Sequence, residues 1–216
     1  MGGDILTRHP VDDDIFIIDH FLTPAECEEI LAELDVVLWR RSLTYERQPD
    51  DSYKNVLAET RISETAHQDF FNAELVELLE DVEGRLEAAC GIDRADLEWW
   101  QATRYRPGGL FDYHLDAGYW DDHYAGDRIL TFLLYLDAPE AGGATHFRAR
   151  NVEIEPQAGR LLVWRKLFDD GTPNHQMIHS GSPVVAGEKT ILVTWERQRP
   201  FRVDGGTDRK ELIGHE

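Results

Sequence analysis

The chain has 216 residues, enough for one domain with a substantial core, and carries 42 acidic against 22 basic side chains for a net charge of −20. That balance argues against a surface for nucleic-acid backbones, which are gripped by basic patches, and it would favour a cationic or neutral substrate; the simpler reading is that the acid solvates amphipathic helices. The start, Met1-Gly2-Gly3-Asp4, lacks the basic and apolar regions of a secretory signal, and no apolar run reaches membrane-spanning length, so a cytoplasmic protein without membrane partners is expected.

In chain order, Ile15-Phe16-Ile17-Ile18-Asp19 suits a short buried strand. Phe21-Leu22-Thr23-Pro24 then opens a helix, with Thr23 as its cap and Pro24 in its first turn; Cys27, Ile30, Leu31, Leu34 and Leu38 recur at helical spacing. Residues 42 to 58 have no clear period and read as a polar loop. A second helix is expected over 67 to 90, with Phe70, Phe71, Leu75, Leu78, Leu79, Val82 and Leu86 on its apolar side, ending near Gly91. Cys27 and Cys90 fall on these helices, have no metal-site spacing, and read as reduced thiols. From Leu97 the period becomes two: Leu97, Trp99, Gln101, Thr103 and Tyr105 share one strand face. Further strands are expected over 129–136, 160–165 and 190–195, separated by Pro- and Gly-rich turns. Many short strands after two helices predict a mainly β chain with flanking helices, a jelly-roll barrel. The organisation expected is one domain: strand and helices over 1–95, the barrel core over 96–200, and a tail over 201–216.

The chemistry concentrates at His114-Leu115-Asp116, where residues two apart in an extended strand face the same way and can reach one metal ion. With His179, 65 residues later, they make two imidazoles and a carboxylate, the ligand set of non-haem Fe(II) oxygenases, which leaves positions open for cosubstrate and O2. His123, His146 and His175 compete as ligands, but none has a carboxylate two residues on, and they are expected outside the metal site. The stretch 117–126 holds three aromatics between two glycines; it reads either as a lid that excludes water or as an ordinary surface loop.

The surrounding residues carry a resemblance. Tyr105 precedes the His114/Asp116 pair, Tyr135-Leu136-Asp137 ends a strand, and Gly142-Gly143-Ala144-Thr145-His146-Phe147 lies between the two halves. His179 is then followed by Pro183-Val184, Gly187, Lys189 and Trp195. Over roughly residues 95 to 199 this series resembles the Fe(II)/2-oxoglutarate dioxygenases, in their prolyl 4-hydroxylase-like branch. The resemblance implies a double-stranded β-helix, and a hydroxylase of a peptidyl proline, amino acid or other small molecule that releases succinate and CO2. Its cofactors would be Fe(II), 2-oxoglutarate and O2, with ascorbate in support. His114, Asp116 and His179 would be both metal ligands and catalytic residues. Lys189 would anchor the distal carboxylate of 2-oxoglutarate, since a dicarboxylate in an apolar barrel needs a compensating charge. Tyr105 and Tyr135 would contact the same cosubstrate or serve as core aromatics, and Trp195 would wall the pocket. Asp116 fills the position that related halogenases leave to halide, which favours hydroxylation. Thr145 and Phe147 would shape the barrel lip. Arg61, in Glu59-Thr60-Arg61-Ile62-Ser63, resembles an element found near the substrate in relatives, with a surface salt bridge as its default reading. The rival classes are a metal-binding barrel that senses iron or oxygen, which would release no succinate, and a nucleic-acid demethylase, which the charge opposes. The sequence is silent on oligomeric state.

Overall fold

A computed structural model describes residues 6–47, 49–50, 53–120 and 122–202. The expected tail therefore lies outside the described residues beyond Arg202. The chain opens with β1 (His9–Asp12), β2 (Ile15–Ile18), α1 (Pro24–Leu34), β3 (Arg40–Arg41), β4 (Thr44–Arg47), β5 (Tyr53–Val56), β6 (Arg61–Ile62) and β7 (Glu64–His67). Then come α2 (Ala73–Cys90), β8 (Gln101–Tyr105), β9 (Leu110–His114), β10 (Arg128–Tyr135), β11 (Ala141–Gly142), β12 (Thr145–Phe147) and β13 (Val152–Ile154). The chain continues through β14 (Leu161–Arg165), β15 (His179–Gly181), β16 (Val184–Ala186) and β17 (Lys189–Arg197).

The long sheet runs β1-β2-β14-β10-β17-β8-β7-β3 and the short one β13-β12-β15-β9-β6. They face each other: Trp164 of β14 packs edge-on against His179 of β15, ring centroids 4.7 Å apart. This is a mainly β jelly roll whose sheets are not closed into a continuous barrel. Side-chain alternation divides the core in two. Leu161, Val163, Phe132, Leu134 and Leu192 pack with α1 and α2 on the outer face of the long sheet. Leu162, Trp164, Leu133, Tyr135 and Ile191 face inward with Phe147 and Met177.

Local signals explain most boundaries. The Thr23 side chain accepts from Glu26 N while the Glu26 carboxylate accepts from Thr23 N, a reciprocal cap that starts α1. That helix ends at Leu34, short of the expected Leu38, which is half exposed; the β-branched pair Val36-Val37 follows the cap at Asp35. The second helix also begins later than expected. Asn72 caps it through Leu75 N, so Phe70 and Phe71 precede it in extended chain and a 3-10 turn, and residues 64–67 form a strand instead. Gly91 ends it at φ 72°, a left-handed cap that glycine adopts without a Cβ penalty. The expected polar loop at 42–58 contains the β4–β5 hairpin, pairing Thr44 with Val56 and Tyr45 with Asn55. Its polar, aperiodic sequence lacks the alternation by which a strand pair is recognised.

Candidate metal centre and cosubstrate pocket

Strand pairing brings the triad together. His179 on β15 sits directly opposite His114 on β9, across the short sheet. Asp116 lies two residues beyond the end of β9. One ligand atom from each of His114, Asp116 and His179 lies within 4.8 Å of the other two. The His114 Nε2 to Asp116 Oδ1 distance is 3.6 Å and His179 Nε2 to Asp116 Oδ2 is 3.8 Å. Each imidazole is fixed by a backbone carbonyl two residues earlier: His114 Nδ1–H donates to Asp112 O at 2.8 Å and His179 Nδ1–H to Met177 O at 3.0 Å. With Nδ1 committed, both Nε2 lone pairs face Asp116, the arrangement a shared cation needs. Phe111 stacks on His114 at 3.6 Å between centroids and holds the ring plane. Two neutral imidazoles and a carboxylate fit Fe(II).

Burial, reinforced by the neighbouring His179, depresses the His114 pKa to about 3, so the imidazole is neutral and ready to ligate. Burial opposes the charge on Asp116, yet its carboxyl is held below the usual range. The facing His179 and His114 are the main partners that lower it, and Lys166 and Arg128 contribute less. Sequence reasoning missed what positions this carboxylate. Thr131 Oγ1 donates to Asp116 Oδ2 at 3.1 Å and Trp195 Nε1 donates to the same oxygen at 3.2 Å. Thr131 and Trp195 are cross-strand partners on β10 and β17, so one register step supplies both donors. Trp195 thus holds a ligand in place, a role different from the pocket wall expected of it.

Lys189 begins β17, is 2 % exposed, and donates from Nζ to Gly143 O at 2.7 Å. Burial lowers its pKa to about 8, with Asp137 pulling the other way. Among the described residues no carboxylate lies within ion-pair distance of it. The Gly142-Gly143 pair follows from this: Gly143 has φ 80°, and a Cβ there would lie 3.4 Å from the Lys189 chain and 3.0 Å from Pro139. The Tyr105 ring lies 4.4 Å from Lys189 Nζ, and Tyr105 is paired with Lys189 across β8 and β17. The Tyr135 hydroxyl is 2.7 Å from Thr145 Oγ1, and burial raises its pKa, keeping it a neutral donor. Phe147 packs against both Trp164 and His179.

Among the described residues Arg61 makes no salt bridge, the contact its default reading expects. Its guanidinium lies 4.5 Å over Phe111, the ring stacked on His114, and donates to Leu43 O at 3.1 Å. The competing histidines stay outside the triad. His146 Nδ1 meets the Tyr113 hydroxyl at 2.6 Å, His123 Nδ1 accepts from Ala125 N at 3.1 Å, and His175 is exposed at a 3-10 turn. The 117–126 loop leans on the hairpin: Tyr45 stacks on Trp120 at 5.7 Å and meets Tyr119 edge-on at 6.5 Å. Behind it, Arg128 lies between Trp120 and Trp195, 5.3 and 3.7 Å from the ring centroids.

Residues 100–197 match the 2OG-Fe(II) oxygenase superfamily. The chain is 29 % identical over 193 residues to chicken (Gallus gallus) prolyl 4-hydroxylase subunit alpha-1, covering 86 % of this chain and 37 % of that protein. It thus spans little more than a third of that relative's length. Its fold is similar to the 2OG complex of the viral collagen prolyl hydroxylase of Paramecium Bursaria Chlorella virus-1, with a TM-score of 0.64 and 26 % identity, over 86 % of this chain and 96 % of that one. A Trichoplax adhaerens prolyl hydroxylase, in complex with a hypoxia inducible factor peptide fragment, shares the fold at a TM-score of 0.57 and 17 % identity, over 86 % and 84 %.

Proposed function

Taking as premise that the chain belongs to the 2OG-Fe(II) oxygenase superfamily and is prolyl 4-hydroxylase-like, we propose that it hydroxylates a prolyl or related carbon of a peptide or amino acid. One 2-oxoglutarate and one O2 would be consumed per turnover, with release of succinate and CO2. The observation that carries this reading is the convergence of His114, Asp116 and His179 within 4.8 Å, with the buried ammonium of Lys189 on the inward side of the same fold. Bound Fe(II) would supply oxidative decarboxylation of the cosubstrate and transfer of an oxygen atom into a C–H bond.

The residues have separate tasks. His114 and His179 offer neutral nitrogens whose direction is set by Asp112 O and Met177 O. Asp116 offers its charge, and Thr131 and Trp195 hold its Oδ2 so that the carboxylate does not swing. Lys189 is well placed to exchange its contact with Gly143 O for the distal carboxylate of 2-oxoglutarate. Tyr105 packs alongside that ammonium, and the Tyr135 hydroxyl, paired with Thr145, is a further donor on the inward face. Trp120 and Tyr45 form an aromatic wall whose closure would exclude water. The free thiols Cys27 and Cys90 support a reducing compartment such as the cytoplasm.

The reading is tested by a screen of proline-containing peptides and amino acids for stimulated succinate formation, with mass spectrometry of the product. A gain of ~16 Da matched one-to-one by succinate is expected, as the group transfer requires. Absence of any succinate formation, in protein shown to bind Fe(II), would favour the sensor class.

A further inference from the structure

Lys166 follows the last residue of β14 and is unused by the chemistry above. Its backbone N donates to Ile129 O at 2.8 Å, so it keeps the ladder's register one step past the strand end. By alternation it shares the inward face of Leu162 and Trp164. Trp164 pairs with Thr131, which pairs with Trp195. Lys166 therefore stands one step beyond the row of side chains that underlies Asp116 and His179. Lys189 lies the other way, six residues before Trp195 on β17. A cosubstrate stretched from the triad to Lys189 leaves Lys166 on the opposite side.

The Lys166 side chain is 0 % exposed and its Nζ has no hydrogen-bond partner. Among the described residues no carboxylate lies within ion-pair distance of it. The acids that act on it, Asp116, Glu98 and Asp127, have other work. Glu98 is held bidentately by Arg128 at 2.6 and 2.8 Å and is also met by Arg197, and Asp127 accepts from Gly118 N and Arg128 N. Trp120 Nε1, in the loop against Arg128, is likewise a buried donor without an acceptor. Burying an unpaired ammonium is costly, and burial accordingly pulls the Lys166 pKa well down. Lys166, Lys189 and Arg61 also lack ion-pair partners among the described residues, whereas the triad holds one acid. These basic side chains around the triad thus offer donors that no carboxylate among the described residues takes up.

We propose that Lys166 anchors a carboxylate of the molecule being oxidised, on the far side of the triad from the Lys189 end. The oxidised carbon then belongs to a free or C-terminal amino acid, or lies close to an acidic side chain. This deepens the oxygenase reading and rests on it.

The test uses full-length protein loaded anaerobically with Fe(II), in wild-type and Lys166→Met forms. 2-Oxoglutarate is titrated first, followed by its charge-transfer absorption. Matched probes are then added to the ternary complex and their binding measured by calorimetry: L-proline and L-prolinamide, N-acetyl-L-proline and its amide, glutamate and glutamine. The expected result is unchanged 2-oxoglutarate affinity, with at least one acid bound more tightly than its amide by wild type. That preference should fall about tenfold or more in the variant, as for loss of a charge-assisted contact. Lys166→Met should also melt at a higher temperature without ligand, because it removes an unpaired buried charge. A drop in 2-oxoglutarate affinity of the same size would assign Lys166 to the keto-acid end of the cosubstrate and overturn the proposal. So would the absence of any acid-over-amide preference in wild type, or a lower melting temperature in the variant, which would make the ammonium structural. Failure of wild type to bind Fe(II) and 2-oxoglutarate would strike the oxygenase reading itself and this proposal with it.

Discussion

Asp116 is the residue on which the site turns, since it provides the negative charge and its orientation depends on two neutral donors. Thr131→Val keeps the shape but removes the hydroxyl, and Trp195→Phe removes the indole N–H; each should loosen Fe(II) binding without abolishing it. A combined loss about equal to the sum of the single losses would show that the donors act independently, whereas Asp116→Ala should remove most affinity. Anaerobic metal titration checks all four proteins. Lys189 carries a different prediction. Lys189→Met should raise the apparent KM for 2-oxoglutarate by roughly two orders of magnitude, because truncating one partner of a buried charge pair costs about 2–5 kcal/mol and about 1.4 kcal/mol is tenfold. With its pKa lowered to about 8, the free protein loses this positive charge as pH rises through that value, so cosubstrate affinity should weaken on the alkaline side. The stability sign is opposite: between about 8 and 10.5 the unfolded chain binds the proton more tightly, so the unliganded fold gains stability with pH there. An alkaline limb in kcat/KM for 2-oxoglutarate that persists in Lys189→Met would assign it to another group. The His114/Asp116 pair was suggested by its two-residue spacing, whereas His179 and Lys189 were legible only through the order of motifs that the family resemblance supplied. The roles of Thr131 and Trp195 were not, because a cross-strand partner depends on register. Lys166 was hidden for a simpler reason: a lysine after Arg165 at a strand end reads as solvent-facing.

At the level of elements, the β4–β5 hairpin and the 117–126 loop act as one rim through the Tyr45–Trp120 stack. Trp120→Ala should weaken substrate binding or raise succinate formed per oxidised product, while leaving Fe(II) affinity unchanged, since the loop donates no ligand. Tyr45→Ala should show the same fault to a smaller degree. Equal coupling and equal substrate affinity in all three proteins would reduce the rim to an ordinary surface. The aromatic run of 117–126 announced itself in sequence. Its partner did not, because the strands on either side of the Pro49-Asp50 turn lack the apolar alternation that marks a strand pair.

For the whole molecule, two helices brace the outer face of the long sheet while charged side chains seam its edge beside the site. Glu98 is 1 % exposed and serves both Arg128 and Arg197. Glu98→Ala should destabilise by about 3–5 kcal/mol, the cost of leaving buried charges uncompensated. By contrast Leu86→Ala, in the helix layer, should cost about 2–5 kcal/mol through a cavity and leave metal affinity intact. Chemical denaturation alongside metal titration separates the two, for only the first should also disturb Arg128 behind Trp195. The fold class followed from counting strands and helices; the facing of the two sheets did not, because His114 and His179 meet within the short sheet and need no second one. The central claim, that this fold presents Fe(II) and 2-oxoglutarate to each other at His114, Asp116 and His179, is tested most directly by anaerobic titration of 2-oxoglutarate into the Fe(II)-loaded protein. A saturable charge-transfer band at one equivalent is expected in wild type, absent in Asp116→Ala and shifted to much higher concentration in Lys189→Met. A folded, iron-loaded wild type without the band, or an Asp116→Ala protein that keeps it unchanged, would contradict the account.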